Sequence, residues 1–498
     1  MSQQWLATDK ALIKALGESG AVIDDRRNNL RIELAGLERR MKAIDDRLQN
    51  EAPEYFALIR PEALALSAVQ AVLASDEAAL MVVPTRSGTH IMLVSDEGLR
   101  WVRSDWASDR IDAAVKRLLW DVGAHVDVSA AESAEWTDEG QGAYPFAFDT
   151  SYALYRELIA PIAEGLKGKK HLFISASGSL SSMPFGMLVS EVPAGDNGDP
   201  DVLRSAKWFA DAHALILIPT LQSLKFLRKY RTAAGQGDDL SFMGIGDPVL
   251  SGRSHTRGSR SKESAAGSSG AFKRLFDTVP TAGKSSIANK SKLMQLARLP
   301  GTATELTAMW EEFGKPADAL YLAEKATEHF IRTTNLDANI IVFATHGLLA
   351  GEIGGLAEPG IVLTPPSQAS ESDDGYLSAS EISALKLNAD WVILSACNTA
   401  AGDGSEGAPG LSGLARSFFY AGAKNLLASH WPVRDDVAAK LTVRIISIAK
   451  ENPQQSRAQS FQQAMREIRN DKSADSDTDT WAHPNAWAPF SLIGDGAH

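Results

Sequence analysis

Two residues in the chain could form a nucleophile and its base. Cys397 is the one cysteine among 498 residues, and His346 is one of ten histidines. A thiol attacks as its thiolate, and a free thiol is mostly protonated at neutral pH. An imidazole beside it can take that proton and later hand it to a leaving amine. The tetrahedral intermediate carries an oxyanion, which needs fixed N–H donors. Gly347 follows His346 and brings an N–H with no side chain over it, and the Cys397 N–H is the second donor. Residue types alone leave two readings open, because a lone cysteine is commonly a small buried hydrophobe.

Position supports the dyad. The apolar run 340–344 leads through Thr345 into His346-Gly347, and the run 391–395 leads through Ala396 into Cys397. Both read as strands, and in an open parallel sheet sites form at the carboxyl ends of strands. Thr302-x-x-Glu305 reads as a capping box opening a helix that Gly314 closes, and Ser378-x-x-Glu381 reads as another. Leu411, Leu414, Ala415, Phe418 and Phe419 form a helical stripe that Gly422 stops, and 424–429 is a third strand. Continuous apolar strands alternating with helices imply a parallel sheet covered on both faces.

Four stretches follow along the chain. Residues 1–61 read as a helical segment with a short coiled-coil seam at Leu30, Leu34, Leu37, Met41, Ile44 and Leu48, closed by Pro53 and Pro61. The seam suits a helical hairpin, or a contact with a partner. Residues 62–250 alternate strands (79–83, 89–94, 171–175, 214–218, 241–245) with helices (111–119, 152–166), the mark of an α/β layered domain. Residues 251–292 carry nine Lys/Arg against two Asp/Glu, and eleven of residues 251–270 are Ser or Gly, so a flexible basic linker is expected. Residues 293–498 form the second α/β unit.

Composition excludes several classes. One cysteine excludes an intrachain disulfide, a Cys-rich zinc site and a Cys-ligated iron–sulfur cluster. A net charge of −12 argues against a nucleic-acid or membrane surface. The histidines form no ligand pattern, so neither metal nor other cofactor is expected. Gly283-Lys284-Ser285 lacks its first glycine at Thr278, and Gly244-x-Gly246 meets Val249 where a dinucleotide site needs a third glycine. No H-E-x-x-H or G-x-S-x-G motif occurs. The first twenty residues lack a secretory pattern and no apolar run would cross a bilayer, which leaves a cytoplasmic protein as the expectation.

The second half resembles the CHAT domain, a caspase-like peptidase module related to separases. The matching stretches are 343–347 (Phe-Ala-Thr-His-Gly), 374–382 (Asp-Gly-Tyr-Leu-Ser-Ala-Ser-Glu-Ile), 394–400 (Leu-Ser-Ala-Cys-Asn-Thr-Ala), 421–423, 431–433 and 483–490. In the first half 67–70, 76–77, 148–149, 154–155, 177–180, 184–185 and Gly246-Asp247-Pro248 also fit. His346 precedes Cys397 by 51 residues, in keeping with the ~50 of caspase-type enzymes. The resemblance implies a caspase-like three-layer αβα sandwich with a mainly parallel sheet: a degenerate half at 62–250 packed against a catalytic half at 293–498, after the N-terminal helical segment.

Carried over by position, the resemblance makes Cys397 the nucleophile, His346 the general base and acid, and the N–H groups of Gly347 and Cys397 the oxyanion hole. It places Trp431 along the substrate groove. Asp403, Glu406 and Asp435 fall near the pocket for the residue before the scissile bond, where acids would favour Lys or Arg. His430 departs from the pattern, which expects an apolar residue there: it is either a second titrating group at the groove or a polar strand end. The implied protein is a bacterial cysteine endopeptidase acting on a genetically linked protein, regulated by an activator that docks on the N-terminal helices, with a linker open to self-cleavage. The rival is a non-catalytic scaffold of the same fold.

Overall fold

The computed structural model describes residues 21–51, 64–124, 126, 128–129, 132–133, 136, 145–229, 241–252, 287–348, 356, 358–370, 372–395, 413–431, 433–476 and 480–496. The chain divides into two units, Met1–Leu64 and Ala65–His498. In the first, Ala21–Glu51 is one helix. Leu34 and Leu37 of its seam are buried while Ile32, two residues before Leu34, is exposed.

The second unit is built on one sheet, and its short β-rich runs explain why. The first half supplies β1 (Glu77–Thr85), β2 (Gly88–Ser95), β3 (Gly98–Ser104), β4 (His171–Ala176), β5 (Ala214–Leu217) and β6 (Phe242–Gly246). The second supplies β7 (Leu320–Leu322), β8 (Ile340–Ala344), β12 (Trp391–Leu394), β13 (Asn425–Ser429) and β14 (Phe490–Gly494). Their order across the sheet is β3-β2-β1-β4-β5-β14-β13-β12-β8-β6-β7. Seven of the ten neighbouring pairs are parallel. A separate sheet joins β9 (Gly347–Leu348), β10 (Gly360–Val362) and β11 (Tyr376–Ser378) in the order β11-β10-β9.

The large sheet is a three-layer αβα sandwich with two parallel blocks of opposite direction. Strands β1, β4, β5 and β14 run together, β13 turns back against β14, and β12, β8, β6 and β7 follow β13. The carboxyl ends of β4 and β5 therefore lie at the opposite rim from those of β8 and β12. Central strands are buried on both faces, as continuous apolar runs require. Ile341, Phe343, Val392, Leu394, Leu426 and Ala428 pack on one face with Leu414, Ala415 and Phe418 of the helix Gly413–Tyr420. On the other face lie the helices Gly301–Glu312, Asp435–Glu451 and Arg457–Asn470.

The connections cross between the halves. Strand β6, from before residue 250, lies between β8 and β7. Strand β14, made last, lies between β5 and β13. Arg228 adds an ionic staple: it pairs with both oxygens of buried Glu77 at 2.7 and 2.8 Å and with Asp495 at 2.8 Å. Among the described residues no helix is long and apolar enough to cross a membrane.

Local signals fared unequally. Ser378 and Glu381 form the expected capping box, and Gly314 and Gly422 end their helices at φ +75° and +109°. Thr302 and Glu305 do not form one. Their helix starts at Gly301 with no side-chain cap, because Thr302 Oγ1 turns back to the Leu299 carbonyl and Glu305 is buried. The helix expected over 152–166 is α-helical over Phe148–Leu158 and then tightens to a 3-10 turn over Ala160–Leu166, since Pro161 cannot continue the ladder.

Candidate active site

His346 stands just past the carboxyl end of β8, with β12 alongside. The parallel register Phe343↔Leu394 pairs residues 51 positions apart, which is also the separation of His346 and Cys397. Pairing continues to Ser395, whose N–H donates to the Phe343 carbonyl at 2.9 Å. Cys397, Asp403 and Glu406 lie outside the described residues.

The backbone around His346 is held by the small sheet. The Val362 N–H donates to the His346 carbonyl at 2.9 Å, and Thr345 Oγ1 donates to the Val362 carbonyl at 2.5 Å. His346 and Val362 are thus a hydrogen-bonded pair, and the next pair, Gly347↔Ile361, is a non-bonded one. In such a pair the N–H and C=O turn away from the partner strand. The Gly347 N–H therefore points away from β10, as an oxyanion donor must.

The imidazole's tautomer follows from its partner. His346 Nε2 lies 2.7 Å from the Ala297 carbonyl oxygen. A carbonyl only accepts, so Nε2 carries the proton, and in the neutral ring Nδ1 is the basic nitrogen.

Buried acids surround these strands; the sequence offers Glu305 only as a cap residue and Asp374 only within the stretch 374–382, and it does not mark Glu328. Glu305 Oε2 accepts from Ser395 Oγ at 2.9 Å, directly where β12 ends. Glu328 Oε2 accepts from the N–H groups of Asp374 and Gly375 at 2.7 and 3.2 Å, and Glu328 Oε1 pairs with Arg332 at 3.0 Å. Burial pushes the Glu328 carboxyl up to about 7 against the pull of its amide and arginine partners. Asp374 is also raised by burial; it accepts from the N–H groups of Ala288 and Tyr376 and so ties 287–298 to β11. Apolar burial around a short acidic motif was the signal available, and it is a tertiary one.

Of the expected groove residues, Trp431 and Asp435 fall within the described residues. Trp431 is 1% exposed, with Nε1 donating to the Asn485 carbonyl at 3.3 Å. Asp435 begins the helix Asp435–Glu451. His430 is buried beside Ser491 Oγ at 2.8 Å, and burial lowers it to about 4. It is a polar strand end, neutral at pH 7, and not a titrating group of the groove. Among the described residues no three His, Cys, Asp or Glu are grouped to hold a metal ion.

A family model described as the CHAT domain matches residues 149–495. A search of curated proteins finds no match. Among solved structures, separase in the Saccharomyces cerevisiae separase–securin complex is similar at 10% identity and a TM-score of 0.40, over 86% of this chain and 30% of that one. The chain thus spans under a third of that separase. The Arg-specific cysteine proteinase gingipain R is similar at 9% identity and 0.37, over 85% and 78%. The complex of Porphyromonas gingivalis RgpB pro- and mature domains gives 9% and 0.37, over 84% and 78%.

Proposed function

Because the chain belongs to the CHAT domain family, we propose that it is a cysteine endopeptidase whose dyad is His346 and Cys397. The observation that supports this most is the 51-residue register between β8 and β12, set beside a histidine whose Nε2–H is already committed to a carbonyl. In this reading Nδ1 takes the thiol proton. The thiolate attacks the scissile carbonyl carbon, and the oxyanion is met by the Gly347 and Cys397 N–H groups. The imidazolium then protonates the departing amine as the C–N bond breaks, leaving a thioester. Water attacks the thioester with His346 again as base, releasing the acid and restoring the thiol.

Trp431, being buried, supports the groove wall from beneath, and Asp403, Glu406 and Asp435 set a preference for Lys or Arg. The substrate is a genetically linked protein, met in the cytoplasm, and an activator engages the N-terminal helices.

Substrate trapping tests the reading. Cys397→Ala should capture an uncut partner protein, and His346→Asn should slow its cleavage about a thousandfold or more. A Cys397→Ala variant that still cuts that partner would overturn it. A partner left intact by the wild type as well would make the protein a scaffold.

A further inference from the structure

We propose that Asp247 and Arg298 are positioning residues of the active site: their ion pair holds the Ala297 carbonyl against His346 Nε2 and so fixes the tautomer of the base. This rests on the dyad reading above and adds two residues that act through the Ala297 carbonyl.

The geometry runs in one connected path. Asp247 follows β6 at φ +49°, a left-handed conformation that aspartate tolerates better than most residues. Its N–H lies 3.1 Å from Thr302 Oγ1 and 3.3 Å from the Ala344 carbonyl, the last residue of β8. The carboxylate, buried, takes Arg298 in a two-pronged grip: Nε to Oδ1 at 3.2 Å and Nη2 to Oδ2 at 2.9 Å. Arg298 adjoins Ala297, whose carbonyl meets His346. The turn in which Asp247 sits therefore touches the strand that carries His346 on one side and the group that orients its ring on the other.

The segment needs such a hold. Ala297 is joined to Gly252 by an isolated parallel bridge, and residues 298–299 belong to no helix or strand. Their neighbours are fixed: the Leu296 carbonyl accepts from Gly252 N–H at 3.1 Å, and the Leu299 carbonyl accepts from Thr302 Oγ1 at 2.7 Å. Between those points the Asp247–Arg298 pair adds a side-chain tie to the Gly252 bridge and completes the hold on the Ala297 peptide. A carboxylate–guanidinium fork fixes both distance and plane, which a single hydrogen bond does not. If the carbonyl rotates away, Nε2 loses its acceptor, the proton is free to move to Nδ1, and the base is lost in that fraction of molecules.

The single cysteine supplies the readout, because Cys397 is the one thiol that iodoacetamide can alkylate. Alkylation rates of the full-length protein are measured from pH 5 to 9. Two-bond ¹H–¹⁵N spectra report the His346 tautomer, its signals assigned with His346→Asn. Arg298→Met and Asp247→Asn should each slow alkylation at pH 7 about tenfold and convert the Nε2–H tautomer of His346 into a mixture. The double variant should be no slower than either single one, since both remove the same tie. Arg298→Lys, which keeps the charge but not the fork, should fall between, and it serves if Arg298→Met fails to fold.

Slow His346→Asn with Arg298→Met and Asp247→Asn at the wild-type rate would overturn the positioning role and leave the dyad standing. A fall in melting temperature without a change of rate or tautomer would overturn it too, as a merely structural pair. A wild-type thiol no more reactive than His346→Asn would overturn the dyad itself, and this inference with it.

Discussion

Glu328 is a carboxylate that the fold keeps out of water for the sake of two amides. Its ordinary value is 4.5, and burial raises it to about 7 while Arg332, Asp374 and Glu381 face it. Between pH 4.5 and 7 the unfolded glutamate gives up its proton first, so the native state binds more protons and stability falls as pH rises through that window. Melting temperatures at pH 5 and pH 8 should therefore differ more for the wild type than for Glu328→Gln, with the wild type losing ground at pH 8. An equal difference in the two would show that Glu328 titrates normally. Single residues were also where the sequence was most and least informative. His346 and Cys397 stand out because their types are rare and chemical. Glu328 and Arg298 are common types whose importance lies in burial and partners, which no local pattern records, and the short patterns that contain Glu305 and Asp247 do not show what those two touch.

At the scale of elements, strands with uniform apolar runs were legible, and so were helices ended by glycine. Gly422 shows why the second signal is firm. Its φ is +109°, and a Cβ there would lie 2.3 Å from the Leu387 carbonyl oxygen. Gly422→Ala should cost at least about 2 kcal/mol from strain and overpacking together, readable as a lower midpoint in urea with an unchanged slope. A midpoint within error of wild type would mean that the backbone at Leu387 can move away from position 422 at little cost. Elements defined by pairing alone were not legible. The strands β9, β10 and β11 are two or three residues each, too short for a period of two to register, yet they turn the Gly347 N–H outward. The pattern Thr302-x-x-Glu305 misled for a related reason: burial of Glu305 under β12 outweighed the local preference for a cap.

For the molecule as a whole, alternation of strands and helices correctly implied an αβα sandwich with a mainly parallel sheet. The strand order did not follow, because it depends on which strands meet across hundreds of residues. That order makes a nick harmless to assembly. Ser251 and Gly252 donate to Met294 and Leu296 across the interval 253–286, and β6 and β14 each lie among strands of the other half. Trypsin cleavage confined to 253–286 should therefore yield two fragments that co-elute with the intact protein in gel filtration. Separation without denaturant would contradict the pairing described.

The place of β14 also sets an order in time. Residues 490–494 are synthesised after every other strand of the sheet, yet they form the seam at which its two opposed blocks meet. Domains fold as units during synthesis, N-terminal parts first, and here neither block can close on the other until that strand has left the ribosome. Strands β8 and β12, with the residues they deliver, are finished long before the body that holds them rigid. A growing chain thus carries Cys397 for roughly a hundred residues of synthesis, from 397 to 494, without the complete sheet behind it, and under the proposed dyad any cleavage that depends on rigid placement is deferred until residue 494 has been added.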